Sequence, residues 1–423
     1  MLDTPIIIAV FVLTYIGMAA GRLPWLQVDR TGIALLGVIA LLATRTRTLD
    51  EIAARVDMPT LVLLFALMII SAQFVTSGFF EQAAHRITRL GGTPVRTLAL
   101  TVATAGAISA VLANDIVIFA LTPLVAAAVR ERGLDPRPYL IAMACACNAG
   151  SAATIIGAPQ TILIGELGDL RLSTYVLACG MPALVALVLV FGVIALVWRN
   201  RLALPEGGFT PETPLAPPIG EAHPHDRNQT NKGLIALAAL LALFSTDLPR
   251  DVGGLLIAAL LLANRKFTSR TMIAAVDWPL LLLFACLFGV TGALGTTPLM
   301  GLLTNALDQA NLLPESLVVM APLTLLMSNT IGNVPSVILL LQIWQTPSPG
   351  ALYGLALLSS LAGNLLLVGS LSNIIMVEQA ERLGITIKFA DFARTGIPIT
   401  VLSMAFGILW LIVTGFMPWW PHP

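Results

Sequence analysis

Read for its hydrophobic pattern, the chain is a succession of apolar runs cut by short polar ones. The runs cover 5–20, 32–44, 58–77, 97–129, 139–167, 175–198, 233–247, 252–264, 278–297, 314–345, 351–376 and 395–417. An apolar helix of roughly 20 residues spans the ~30 Å hydrocarbon core of a bilayer. Inside that core only helices and closed barrels satisfy their own backbone. The pattern therefore predicts an all-α polytopic membrane protein with about ten full crossings. Residues 1–20 have no basic start and read as a first membrane helix, not a cleaved signal. One long polar stretch, 199–232, carries Pro205, Pro211, Pro214, Pro217, Pro218, His223 and His225 and reads as a cytoplasmic linker.

The halves on either side of that stretch echo each other. Val56-Asp57-Met58-Pro59 opens a Leu-rich run, and Val276-Asp277-Trp278-Pro279 opens another 220 residues later. Ser109 and Asn114 recur as Ser328 and Asn333 at an offset of 219. Ser151, Gly157 and Glu166 fall on Gly363, Gly369 and Glu378 at an offset of 212. Landmarks in the same order predict two repeats, 56–198 and 276–423, each preceded by a scaffold helix pair, 1–55 and 233–275. The runs 97–129 and 314–345 are too long for one crossing and are polar at their centres. Each reads as a re-entrant hairpin, with two full crossings as the alternative. The runs 139–167 and 351–376 read as broken helices.

Charge orients this arrangement. With hairpins, the loops near 22–30, 78–96, 130–138, 199–232, 264–270 and 377–394 share a side and hold 18 of the 23 Lys and Arg. The other side holds Arg45, Arg47, Arg55, Arg171 and Arg250. The positive-inside rule then places both termini outside, in the inner membrane of a bacterium. One repeat enters inward and the other outward. Such inverted repeats are the architecture of many secondary transporters.

Polar groups at membrane depth are tolerated only facing protein or a hydrated cavity. Four clusters stand out. The first is Ser109 with Asn114 and Asp115. A bare carboxylate at mid-membrane costs ~2.5–3.5 kcal/mol on insertion scales, so Asp115 is expected to be protonated, paired or beside a hydrated site. It reads as a proton or cation coupling group. The plainer reading is a cap on the hairpin's second arm. The second cluster is Asn148, Gly150, Ser151, Thr154, Gly157, Pro159 and Gln160, whose unwound backbone would coordinate an ion or anion. The third is Ser328, Asn329, Thr330, Gly332, Asn333, Pro335 and Ser336. The fourth is Gly363, Asn364, Gly369, Ser370, Ser372 and Asn373. The substrate-binding set is read as Asn114, Asn148, Gly150, Ser151, Thr154, Ser328, Asn329, Thr330, Asn333, Gly363, Asn364, Ser370 and Asn373.

Composition excludes most other classes. Of 423 residues 57% are hydrophobic and 11% charged, and mean hydropathy is +0.89. A soluble domain has about 25% charged residues, so a water-soluble enzyme and a nucleic-acid binder are both set aside. Cys145, Cys147, Cys179 and Cys286 lie in apolar segments without metal-ligand spacing. Neither a disulfide, a metal nor any other cofactor is expected. Cys145 and Cys147 read as core packing, with contact to a thiophilic substrate as the alternative. Glu166 and Glu378 read as interfacial, and Phe79–Arg96 as an interfacial amphipathic helix. No phosphate-binding loop or nucleophile elbow appears.

At the four clusters the sequence resembles the ion transporter superfamily, which includes arsenite/antimonite efflux permeases, D-type sodium/proton antiporters and divalent-anion:sodium symporters. Asn114-Asp115 with Leu121-Thr122-Pro123, and Gly332-Asn333-Val334-Pro335-Ser336, are similar to the arsenite permeases. Asn148-Ala149-Gly150-Ser151 with Gly157-Ala158-Pro159 resembles the broken helix of the anion permeases. The symporters carry Ser-Asn-Thr at both tips, and here only Ser328-Asn329-Thr330 has it. The resemblance implies a scaffold and a transport domain, a homodimer in some branches, and a soluble ATPase partner if the chain is an arsenite pump.

Three transport readings arise from the residues and the resemblance together. The first is proton-coupled efflux of a small inorganic oxyacid or anion, arsenite or antimonite foremost, because neutral arsenite suits amides and hydroxyls without an arginine. The second is sodium- or proton-driven import of dicarboxylate, citrate or sulfate. The third is sodium/proton antiport through Asp115. A channel suits inverted repeats less well, and an enzyme lacks a visible nucleophile–base pair.

Overall fold

The structure is a computed structural model describing residues 3–20, 28–202, 225–246, 248–344 and 347–420. Most of the expected linker, 203–224 with His223, lies outside the described residues, as does His422. The ordered elements are helices. The first half contains α1 (Asp3–Ala20), α2 (Arg30–Ala43), α3 (Leu49–Ala53), α4 (Met58–Thr76) and α5 (Phe79–Gly91). It continues with α6 (Pro94–Ser109), α7 (Asn114–Arg130), α8 (Pro136–Ser151), α9 (Pro159–Leu167) and α10 (Leu172–Val197). The second half contains α11 (Arg227–Leu243), α12 (Arg250–Leu262), α13 (Ser269–Ala274), α14 (Trp278–Gly295) and α15 (Pro298–Gln309). It ends with α16 (Leu317–Thr330), α17 (Asn333–Ile343), α18 (Pro349–Ala362), α19 (Leu371–Arg382) and α20 (Phe389–Val413).

Five of these helices, α1, α4, α10, α14 and α20, are long and apolar enough to cross a membrane. The run 97–129 folds as α6 and α7, of 16 and 17 residues, and the run 314–345 as α16 and α17, of 14 and 11. At 1.5 Å per residue the longest of these arms reaches only about 26 Å. The runs 139–167 and 351–376 also stop midway: α8 ends at Ser151 and α9 restarts at Pro159, while α18 ends at Ala362 and α19 restarts at Leu371. Proline opens α9 because its missing N–H costs nothing in a first turn. The amphipathic segment is shorter than its sequence suggests. α5 stops at Gly91 with Phe80, Ala83, Ala84 and Ile87 buried, and Thr93 caps a new helix.

The 220-residue spacing recurs as local structure. Thr48 and Thr268 each cap a one-turn helix, and Asp57 and Asp277 each accept a backbone N–H three residues on to start α4 and α14. The halves also exchange partners. α2 packs on α14 and α12 on α4, while α7 packs on α19 and α17 on α9. α6 and α8 cross at backbone contact, since a Cβ on Gly150 would stand 2.2 Å from the Gly106 carbonyl oxygen. Small residues at such crossings are the usual means of close helix approach in lipid. Outward, α10 exposes Leu177, Leu184, Val188 and Leu196, and α20 exposes Val401, Leu409 and Val413. Apolar faces of this extent suit acyl chains, not water.

Candidate transport site

The two polar tips are each seated on the helix break of their own half. At the first tip, between α6 and α7, Ser109 Oγ donates to the Cys147 carbonyl at 2.8 Å and Thr154 Oγ1 donates to the Ala110 carbonyl. The Asn114 N–H donates to the Gly157 carbonyl at 3.1 Å. At the second tip Gly332 takes φ +97°, a conformation open to glycine, and joins α16 to α17. Asn329 Nδ2 donates to the Ala362 carbonyl at 2.9 Å, and its Oδ1 accepts from the Leu366 N–H at 3.2 Å. The Asn333 amide, with its nitrogen facing acceptors, donates to the Gly369 carbonyl at 2.9 Å and Ser328 Oγ at 3.2 Å. Asn114 and Asn333 thus grip the carbonyls of Gly157 and Gly369. Gly157 is required by space, since a Cβ there would lie 2.4 Å from the Ser151 carbonyl, while one on Gly369 would push against Asn329 Oδ1, 2.4 Å away.

The two breaks also meet each other. Buried Asn148 donates through Nδ2 to Asn364 Oδ1 at 3.0 Å and Asn373 Oδ1 at 3.1 Å, and accepts from Ser370 Oγ at 3.0 Å. Asn364 passes its own amide to the Cys145 carbonyl at 3.1 Å, and Asn373 to the Gly363 carbonyl at 2.8 Å. The Gly363 acceptor lies at the break after α18, whereas Asn148 and the Cys145 carbonyl lie inside α8.

Against this framework lies a cavity of about 590 Å³, walled in part by Asn114, Asp115, Gln160, Gly332, Asn333 and Ser370. Asp115, 8% exposed, opens α7 and accepts from Ser372 Oγ at 2.5 Å. It sits in the first turn of α7, where no side-chain cap hydrogen bond is made, and it lines the cavity. Asn114 Oδ1 is buried without a hydrogen-bond partner among the described residues. Two features correct the sequence reading. The cavity is not uncharged apart from one acid, because Asp29 and Arg30 at the start of α2, Asp277 at the start of α14, and Glu378 and Glu381 on α19 line it too. Most of the predicted binding residues stand behind the wall instead of on it. Asn148, Gly150, Ser151, Thr154, Ser328, Asn329, Gly363, Asn364 and Asn373 build and brace the breaks and tips.

Thr330 is not part of the site. It is exposed and donates to the Leu326 carbonyl of its own helix at 2.9 Å. Thr330→Val is therefore expected to leave transport and melting temperature unchanged within error, since such surface changes stay within about 0.5 kcal/mol. Cys145 and Cys147 are fully buried and do not line the cavity, with Cys147 Sγ turned toward the Ala105 carbonyl at 3.8 Å. They are packing residues. Glu166 lies near Arg250, its Oε2 4.0 Å from Nη1. Sequence reasoning placed Gln160 and Ser372 in polar clusters but gave them no role, and it counted Arg30 only as a topological charge.

Fold and site together define a helical membrane transporter with a polar cavity among broken helices. The model of the citrate transporter (CitMHS) family matches residues 8–353, and the chain belongs to that family, within the ion transporter superfamily. It is a secondary transporter and not an enzyme. A 46 kDa membrane protein of Mycobacterium leprae is 27% identical over 96% of this chain and 98% of its own. The silicon efflux transporter LSI3 of Oryza sativa subsp. japonica is 27% identical over 91% of this chain and 93% of its own. The solved YdaH transporter of Alcanivorax borkumensis shares the fold at a TM-score of 0.51 and 14% identity, with 99% of this chain and 100% of that one covered.

Proposed function

We propose that the protein is a proton-coupled carrier of a small oxygen-rich anion of the carboxylate class, cycling by alternating access of two inverted repeats. One observation carries this: a carboxylate, Asp115, and a guanidinium, Arg30, line the same 590 Å³ cavity among amides and hydroxyls. Arg30 gives an anion a charged partner that a neutral hydroxide would not need. The cavity is larger than one small hydroxide requires and leaves room for a polycarboxylate with its water. The family's description as citrate transporters supports the same class.

In this reading α6–α7 and α16–α17 are re-entrant hairpins, and their tips with the two helix breaks form the moving unit. The helix pairs with α4 and α14 form the scaffold. Arg30, Glu378 and Glu381 fall in loops that the charge asymmetry assigns to the cytoplasm, so the cavity opens inward. Asp115 takes up and releases the coupling proton, with sodium as the alternative ion. A second substrate reading is efflux of a neutral oxyacid such as arsenite or antimonite. It is favoured by the amide and hydroxyl wall at Asn114, Gln160, Asn333 and Ser370, and by the silicon named for the rice relative.

Inverted membrane vesicles and right-side-out vesicles, each with an imposed pH gradient, separate the readings. The panel is labelled citrate, succinate, sulfate, arsenite and antimonite, each with and without sodium. Gradient-driven movement of a carboxylate, lost on Arg30→Ala, is the expected result. Movement of arsenite alone, unchanged in that variant, would replace the first reading with the second.

A further inference from the structure

The helix pair α11–α12 carries a groove, away from the transport site, that nothing described so far uses. It measures about 300 Å³ and is walled by Ala236 and Ala239 of α11 and by Ile257 and Leu261 of α12. Alanine at 236 and 239 puts two small side chains on one face of α11, and this leaves the space between the helices. Ala236 and Leu261 are each 7% exposed and form the floor. Ile235 and Leu260, 69% and 77% exposed, form the lips. An apolar hollow with exposed apolar lips is a place for hydrocarbon.

One end of this groove is polar. Lys232 of α11 and Asn264, just beyond α12, line it there. Lys232 lies seven residues, about 10 Å along the helix, from Ala239. Asn264 is held in place from within. Its Nδ2 donates to Gln229 Oε1 at 2.8 Å, and the same oxygen accepts from Gln73 Nε2 of α4 at 3.0 Å. Gln73 and Gln229 are buried. Positive charge is left over at this end. Asp226 is engaged by Lys266 and by the N–H groups of Asn228 and Gln229. The exposed side chains of Lys232 and Arg265 have no hydrogen-bond or ion-pair partner among the described residues. The groove therefore joins an apolar slot to uncompensated cations.

We propose that the groove seats one anionic glycerophospholipid, with an acyl chain between α11 and α12 and the phosphodiester on Lys232. Arg265 adds to the field that draws the headgroup. Basic residues at the ends of membrane helices attract anionic lipids, and basic pockets between helices on the cytoplasmic side hold their headgroups. The stretches 199–232 and 264–270 fall on the side that the charge asymmetry assigns to the cytoplasm, so the lipid belongs to that leaflet. Other occupants fit less well. An acidic protein segment matches the cations but not the apolar slot. A second copy of this chain, related by a two-fold axis, matches the slot but brings the same cations toward each other. The lipid braces α11 on α12 where both meet Gln73 of α4. The inference rests on the membrane and charge readings above, and on no particular substrate or coupling ion.

Purified protein in detergent is titrated with phosphatidylglycerol and with phosphatidylcholine of equal chain length, and bound lipid is counted by native mass spectrometry. The native protein is expected to hold one phosphatidylglycerol more tightly than any phosphatidylcholine. K232Q lowers that affinity about fivefold, the effect of one cation at a lipid surface, and leaves phosphatidylcholine binding unchanged. K232R keeps the preference. A239F, which fills the groove from an exposed position, weakens binding of both lipids. Phosphatidylglycerol also raises the melting temperature of the native protein and K232R, but not that of A239F. Equal phosphatidylglycerol binding by the native, K232Q and A239F proteins overturns the proposal. So does a disulfide-linked dimer formed in high yield by A239C in membranes, which puts a second copy in the groove; the native cysteines are buried and do not confuse this readout. Loss of pH-driven transport in Asp115→Asn leaves the lipid affinities as they are, so the coupling reading and the lipid reading fail separately.

Discussion

Replacing Asp115 with Asn is expected to reduce pH-driven accumulation to the level of vesicles lacking the protein, while exchange of substrate across the membrane without a gradient continues. The substitution keeps shape. Asn also carries an oxygen at Oδ1, so Ser372 Oγ still has its acceptor across the 2.5 Å contact between α19 and α7. The first-turn position of residue 115 in α7 tolerates an amide as well as a carboxylate. On the proposed reading, what disappears is the ability to bind and release a proton inside the cavity. A group that served only as a helix cap would lose at most about 2 kcal/mol of stability and no coupling. Paired uptake and pH-electrode traces on reconstituted vesicles decide between them. Proton movement in step with substrate in the Asn variant would remove Asp115 from the coupling step.

The parts of this site that were legible in the sequence are those that break a rule of the bilayer. Asn114-Asp115 in an apolar run, and Gly and Pro inside 139–167, are costly unless the backbone is irregular and faces protein or water, so their positions announced the tips and the break. What stayed hidden depends on rotation and on long range. Ser328, Asn329 and Thr330 are equally polar, yet residues two apart on a helix point roughly 200° apart, so Ser328 turns inward while Thr330 turns out. Ser372 finds Asp115 across 257 positions of sequence, a distance that no local pattern encodes. Arg30 and Glu381 flank apolar runs, where charge is ordinary, so no local pattern marked them as lining the cavity. The division between wall and framework is equally tertiary: Asn148 and Ser370 come from similar small-residue stretches, but only Ser370 reaches the cavity.

Asn148→Ala is expected to be the most destabilising single change at the centre of the molecule, by about 3–6 kcal/mol, because three buried groups lose their partner at once. Asn364 Oδ1 and Asn373 Oδ1 each lose a donor, and Ser370 Oγ loses its acceptor. Asn364 and Asn373 are fully buried and Ser370 is 2% exposed, so water reaches them only by opening the break. The loss also differs in kind from a cavity in an apolar core. It uncouples the break of the first half from that of the second, the junction where α8 meets α19. Gln160→Ala makes a useful contrast, since Gln160 Nε2 has a single long contact to Ser360 Oγ at 3.3 Å and its residue already faces the cavity. It should cost about 1 kcal/mol or less and act on substrate affinity. Thermal melting of the purified variants in detergent checks both. If Asn148→Ala melts with Gln160→Ala, near the native protein, the asparagine cluster is not what joins the halves, and the packing of α7 on α19 must hold them together without it.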